Sequence, residues 1–133
     1  MHRILVRSIC LDFPDDSHDA ARDFWGTALG TSMRPAKYFP EYTVFEHPAS
    51  LTNVFVQHIG ADGPRVHFDI ESDDQPAEVA RLVAAGAQIV AEQQDASQTM
   101  GDWTIMRDPA GVLFCVVKAD IDPDFEAKAV NVG

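Results

Sequence analysis

The feature of this sequence that most restricts its fold is an order of elements that occurs twice. Ile4 to Phe13 alternates as a strand, with Ile9, Leu11 and Phe13 on one face and Ser8, Cys10 and Asp12 on the other. The turn PDDS follows, where Asp15, Asp16 or Ser17 suits a helix cap. From His18 the spacing is helical, with Ala20, Ala21, Phe24, Trp25, Ala28 and Leu29 in one stripe closed by Gly30. Three short extended segments come next, Ser32 to Tyr38, Tyr42 to His47 and Thr52 to Ile59. The order then starts again. Arg65 to Glu71 alternates, SDDQP opens a helix with Pro76 in its first turn, and Gly86 ends it. Gln88 to Glu92, Trp103 to Arg107 and Val112 to Lys118 are the second set of extended segments, the last two joined by the tight turn Asp108-Pro109-Ala110-Gly111. Setting Leu29-Gly30 against Ala85-Gly86 gives a period of about 56 residues.

Two βαβββ modules, at about 4–60 and 65–118, predict an α+β fold. Joined edge to edge, they form a paired half-barrel sheet with a cavity and helices on the outer face. Residues 1–118 then make one domain, and 119–133, which shows no clear period, is expected to be an acidic C-terminal tail. Each strand has a helix-facing row and an open-face row. Val66, Phe68 and Ile70 are expected against a helix, as are Phe114 and Val116. The open row holds Ser8, Cys10 and Asp12; Asn53, Phe55 and Gln57; His67 and Asp69; and Leu113, Cys115 and Val117.

Composition narrows function. With 133 residues, 46% of them hydrophobic and 23% charged, the chain is long enough for its own core without metal or disulfide staples. Ten Lys and Arg against 21 Asp and Glu give a net charge of −11, which repels nucleic acid and anionic lipid and weakly favours a cationic ligand. No apolar run approaches a membrane span, and MHRILVRSICLDF does not read as a signal peptide, so a cytoplasmic protein is expected. Cys10 and Cys115 sit in apolar runs and read as buried, reduced thiols. No glycine-rich phosphate loop or serine-hydrolase elbow is present. His18, His47 and His58 fall on turns or strand ends and read as surface residues, and His2 as part of a mobile terminus.

RVHFDIESDD at 65–74, LVAAGAQIV at 82–90, WTIMRDPAGVLFCVV at 103–117 and ARDFWGTALG at 21–30 resemble the vicinal oxygen chelate superfamily of glyoxalases, extradiol dioxygenases and bleomycin-resistance proteins. The resemblance covers roughly residues 4–118 and is strongest to glyoxalase-like domain proteins. It implies an open-face site where metal-dependent members place four ligands, on the first and last strands of each module. Those positions fall here on Ser8, Gln57, His67 and Cys115, of which only His67 keeps the ligand type. A hydroxyl, an amide and one imidazole supply no anionic oxygen for a catalytic divalent ion, so no cofactor is predicted and His67 is only a weak metal candidate.

The expectation is therefore a protein that binds a small organic molecule in its sheet cavity without the usual metal, as antibiotic-sequestering members do. The rival is a lyase or isomerase using His67 as acid/base or metal ligand. A third reading is a domain whose main role is dimerisation. Expected ligand-binding residues are His67, Gln57, Ser8, Cys115, Asp69, Phe55, Trp103 and Leu113, with His67 the candidate catalytic group. An aromatic or cationic ligand and a homodimer complete the expectation.

Overall fold

The computed structural model describes residues 1–29, 33–35, 42–45, 53–58, 61, 63–93 and 102–133. The fold is mixed α+β. Its elements run β1 (His2–Phe13), α1 (His18–Leu29), β2 (Met33–Pro35), β3 (Tyr42–Phe45), β4 (Asn53–His58), β5 (Arg65–Ser72), α2 (Gln75–Ala84), β6 (Gln88–Gln93), β7 (Trp103–Arg107), β8 (Leu113–Lys118), α3 (Pro123–Lys128) and β9 (Val130–Val132). The strand–helix–three-strand order therefore occurs twice. The expected helix ending at Gly30 can be followed to Leu29, because Gly30 itself lies outside the described residues. No described helix is long and apolar enough to cross a membrane.

The described chain forms two compact units, residues 8–67 and residues 1–7 with 68–133. In the first, β1 pairs in parallel with β4, and β4 antiparallel with β3, which pairs with β2. This register sets Ser8 beside Asn53, Cys10 beside Phe55 and Asp12 beside Gln57. In the second, β5 pairs in parallel with β8, and β8 and β7, then β7 and β6, pair antiparallel.

The turn chemistry follows the sequence. Asp74 caps α2 by accepting from Ala77 N at 3.1 Å, and Gly86 follows that helix at φ 109°, a conformation open to glycine. Asp108 Oδ1 accepts from both Ala110 N and Val112 N at 2.8 Å, closing the β7–β8 hairpin, with Gly111 at φ 102°. Beneath α2, Thr104, Met106 and Val116 are buried, and Gln75 Nε2 donates to Thr104 Oγ1 and to Val116 O. Val116 is on the helix side, as its parity requires, and Phe114 shares that row, half-buried.

Three expectations fail on this frame. Val66 and Phe68 do not lie under a helix: they are 55% and 49% exposed, because α2 packs over β8 rather than over the start of β5. The opposite row of that strand, His67, Asp69 and Glu71, is the more buried one. The segment 119–133 is not a structureless tail. It holds α3 and β9, Phe125 is fully buried, and β9 pairs antiparallel with His2, Arg3 and Ile4 of β1. A single buried aromatic on a six-residue helix gives no readable period, which is why the pattern misses it. His18, expected on the surface, is buried at the start of α1, and His2, expected at a mobile terminus, is buried with its Nε2 2.7 Å from the buried Glu78 Oε2. His58 ends β4, where its side chain lies outside the described residues, as does all of His47.

Arginines clamp the C-terminal segment. Both Nη atoms of Arg7 donate to Asp122, the cap of α3, one of them at 2.9 Å, and Arg7 Nε stands 3.2 Å from Glu71 Oε2. Arg3 bonds Asp73 and Glu126 and lies 5.1 Å over the Phe125 ring. The Arg7 bonds hold the Asp122 carboxyl well below its ordinary range, whereas burial pushes Glu71 up to about 7 despite Arg7.

Candidate functional site

The open-face row of β1 is more enclosed than a hydrated cavity wall would be. Ser8, Cys10 and Asp12 are all buried, and Asp12 is 1% exposed. An aspartate inside the run ICLDF, on a strand row walled from water, must find partners. It finds two on β5, a strand that begins 53 residues later. His67 Nδ1 donates to Asp12 Oδ2 at 2.7 Å, and Arg65 Nε donates to the same oxygen at 3.3 Å. Arg65 and His67 are two residues apart on one strand, so their side chains leave it on the same side. The carboxylate fixes the histidine's tautomer, since an accepting oxygen requires the proton on Nδ1. The second oxygen, Asp12 Oδ1, is also buried and has no hydrogen-bond partner among the described residues.

Around this trio the same unit places the expected residues Ser8, buried on β1, and Gln57, half-buried on β4 and level with Asp12. Phe55 is level with Cys10 by backbone register. Cys10 Sγ and a ring nitrogen of His67 lie within 4.8 Å of each other. In the other unit, Asp69 pairs with Cys115, and Trp103 pairs with Val117. Asp69, Trp103, Cys115 and Leu113 are all half-buried there. Both thiols are free.

Two members of the site escaped the sequence reading. Asp12 shares the β1 row with Ser8 and Cys10, and a lone charge in an apolar strand is the signal for it. Arg65 carried no signal beyond its spacing from His67.

The metal that the resemblance implies meets a poor donor set at the implied positions. Ser8, Gln57 and Cys115 offer a hydroxyl, an amide and a thiol, and none is the carboxylate that a hard divalent ion requires. Cys10 and His67 are a different pair, a thiol and an imidazole at ligand-like separation. Thiol and imidazole are donors that suit zinc.

A family model described as a glyoxalase-like domain matches residues 8–117. No curated protein matches the chain by sequence. Among solved structures, methylmalonyl-CoA epimerase from Mycobacterium tuberculosis is similar at TM-score 0.60 and 16% identity, over 92% of this chain and 91% of that one. A glyoxalase/bleomycin resistance protein/dioxygenase superfamily member from Vibrio splendidus gives 0.57 and 17%, over 90% and 100%. The Mn(II)-bound glyoxalase from Novosphingobium aromaticivorans gives 0.58 and 19%, over 92% of this chain but 44% of that one.

Proposed function

The chain belongs to the glyoxalase-like domain family, and from that premise we propose that it holds a small organic molecule against His67, with Asp12 fixing the ring. The Asp12–His67 bond carries this reading. A carboxylate that is 1% exposed and aligns an imidazole at 2.7 Å is an expensive arrangement for a fold to keep without a task. It supplies an oriented donor or acceptor to whatever lies beside the ring, and it needs no metal to do so. The same geometry suits proton transfer at His67, the lyase or isomerase alternative, because a carboxylate partner strengthens the imidazole as a base. Binding comes first in this reading because the Asp12–His67 bond by itself orients a hydrogen-bonding group and needs no second acid or base to do so.

Calorimetric titration of small aromatic and aliphatic ligands into wild type and His67→Ala tests it. Loss of about 1–3 kcal/mol of affinity in a variant that keeps its circular dichroism supports the site. Unchanged affinity in a folded variant removes it. We further propose a homodimer, as Ile89 and Val90 are exposed on β6 and bare strands are ordinarily covered; a monomer in light scattering at micromolar concentration counts against that.

The Cys10–His67 proximity favours a second reading, in which these two residues supply two of the ligands of a soft divalent ion. The ion would supply Lewis acidity to a bound oxygen. Stoichiometric zinc in purified protein, lost in Cys10→Ser, would establish it over the metal-free reading. Metal-free protein that still binds ligand would exclude it.

A further inference from the structure

We propose that Arg65 is the anion-recognition residue of this site, so that the ligand is a small carboxylic acid and not the cation that the overall charge of −11 favours. The inference rests on the reading of His67 as the ligand anchor and adds the chemical class of what binds there. Its basis is how the guanidinium is used. Only Arg65 Nε is engaged, by Asp12 Oδ2 at 3.3 Å. Among the described residues the two terminal nitrogens have no protein partner, and the side chain is 40% exposed. Asp12, which is enclosed, therefore holds the group by one edge and leaves the planar Nη edge facing outward. That edge matches the two oxygens of a carboxylate.

Charge and spacing agree. Asp12 and Arg65 offset each other, so an approaching anion meets no net negative charge from that pair. His67 follows Arg65 by two residues, roughly 6.5–7 Å along a strand. A carboxylate on Arg65 thus brings the atoms one or two bonds from it to the imidazole. The fit is to a compact acid bearing a hydrogen-bonding or acidic group next to its carboxylate. A long-chain acid, whose polar group is only at its end, would leave His67 facing methylenes.

Matched pairs of acid and amide provide the test: propionate with propionamide, lactate with lactamide, and benzoate with benzamide, each titrated by calorimetry into wild type, Arg65→Ala, His67→Ala and Arg65→Ala/Asp12→Asn. In wild type at least one acid should bind about tenfold or more tighter than its amide, in line with a charge-assisted bond. That preference should fall to near unity in Arg65→Ala. The double variant, which leaves no unpaired aspartate, should show the same loss, so misfolding of the single variant cannot mimic the result. His67→Ala should weaken acid and amide together and keep their ratio. If acids and amides bind wild type equally and His67→Ala weakens both, the Arg65 assignment is overturned while the His67 site stands. If no acid binds wild type at millimolar concentration, the carboxylate class is overturned. If binding is indifferent to His67→Ala, the underlying site is overturned as well.

Discussion

Arg7 and Arg65 both meet carboxylates borne by the strands and loops of this chain, and the two guanidinium groups finish differently. Arg7 puts both terminal nitrogens on Asp122, and its Nε stands 3.2 Å from Glu71 as an ion pair. Arg65 gives Nε alone to Asp12 and keeps its outer edge free of protein among the described residues. The carboxylates differ in the same sense. Asp122 also caps α3, accepting from Phe125 N at 2.8 Å, so both its oxygens are spoken for. Asp12 is more deeply buried, yet one of its oxygens has no hydrogen-bond partner among the described residues. A bidentate ion pair at the root of a helix is what a latch needs. A buried anion with spare capacity, holding an imidazole and an outward guanidinium, is what a binding site needs. The comparison shows two uses of one side chain: both terminal nitrogens spent on a protein carboxylate at Asp122, and neither of them spent at Asp12 among the described residues.

The largest expected effect would break the latch. Phe125 is fully buried beneath α3, so Phe125→Ala should lower stability by about 3–5 kcal/mol in urea denaturation. A loss below about 1 kcal/mol would mean that α3 contributes nothing to the unit it closes. Asp122→Ala removes the cap and both terminal-nitrogen bonds of Arg7 together, and should lower stability, though by less than Phe125→Ala.

Glu71 sharpens the contrast through pH. Burial raises it to about 7 from an ordinary 4.5. Between those values the folded chain holds a proton that the unfolded chain releases. Its stabilising contribution is thus complete below about pH 4.5 and disappears as pH rises through about 7. Glu71→Gln should flatten the stability profile over that range and gain about 1–2 kcal/mol at pH 8. A parallel profile for wild type and variant would show that Glu71 stays charged beside Arg7.

Asp12→Asn should have the smallest effect on stability, within about 1 kcal/mol, because the amide oxygen can still accept from His67 and the Arg65 contact is long, at 3.3 Å. Its ligand affinity should nonetheless fall. If Asp12→Asn proves as destabilising as Asp122→Ala, the two clusters are alike and the distinction drawn between them is wrong.

Much of this was legible from residue patterns, and the failures have physical causes. The start of α1 at His18, the Asp74 cap, the DPAG hairpin and the row holding Ser8, Cys10 and Asp12 are local. They follow from capping, turn chemistry and strand parity, which act over a few residues. Parity also puts His67 on one row with Asp69 and Glu71, the half-buried row of β5. It could not say which row a helix would cover, so Val66 and Phe68 were assigned to the core and lie exposed. Nor could it pair Asp12 with His67 across 55 residues, because sequence spacing carries no through-space distance. The fold of 119–133 depends on one buried ring and two arginine clamps, which is too little apolar repetition to show as a pattern. Asp122-Pro123, a cap followed by a first-turn proline, was its one visible signal.

The central claim is that Asp12 holds His67 ready for a ligand, and long-range proton–nitrogen NMR of the His67 ring tests it most directly. The account predicts a ring with its proton on Nδ1 in the free protein, loss of that preference in Asp12→Asn, and displaced ring signals when a ligand is added. A proton on Nε2 with Nδ1 bare, or ring signals that do not move at saturating ligand, would contradict it.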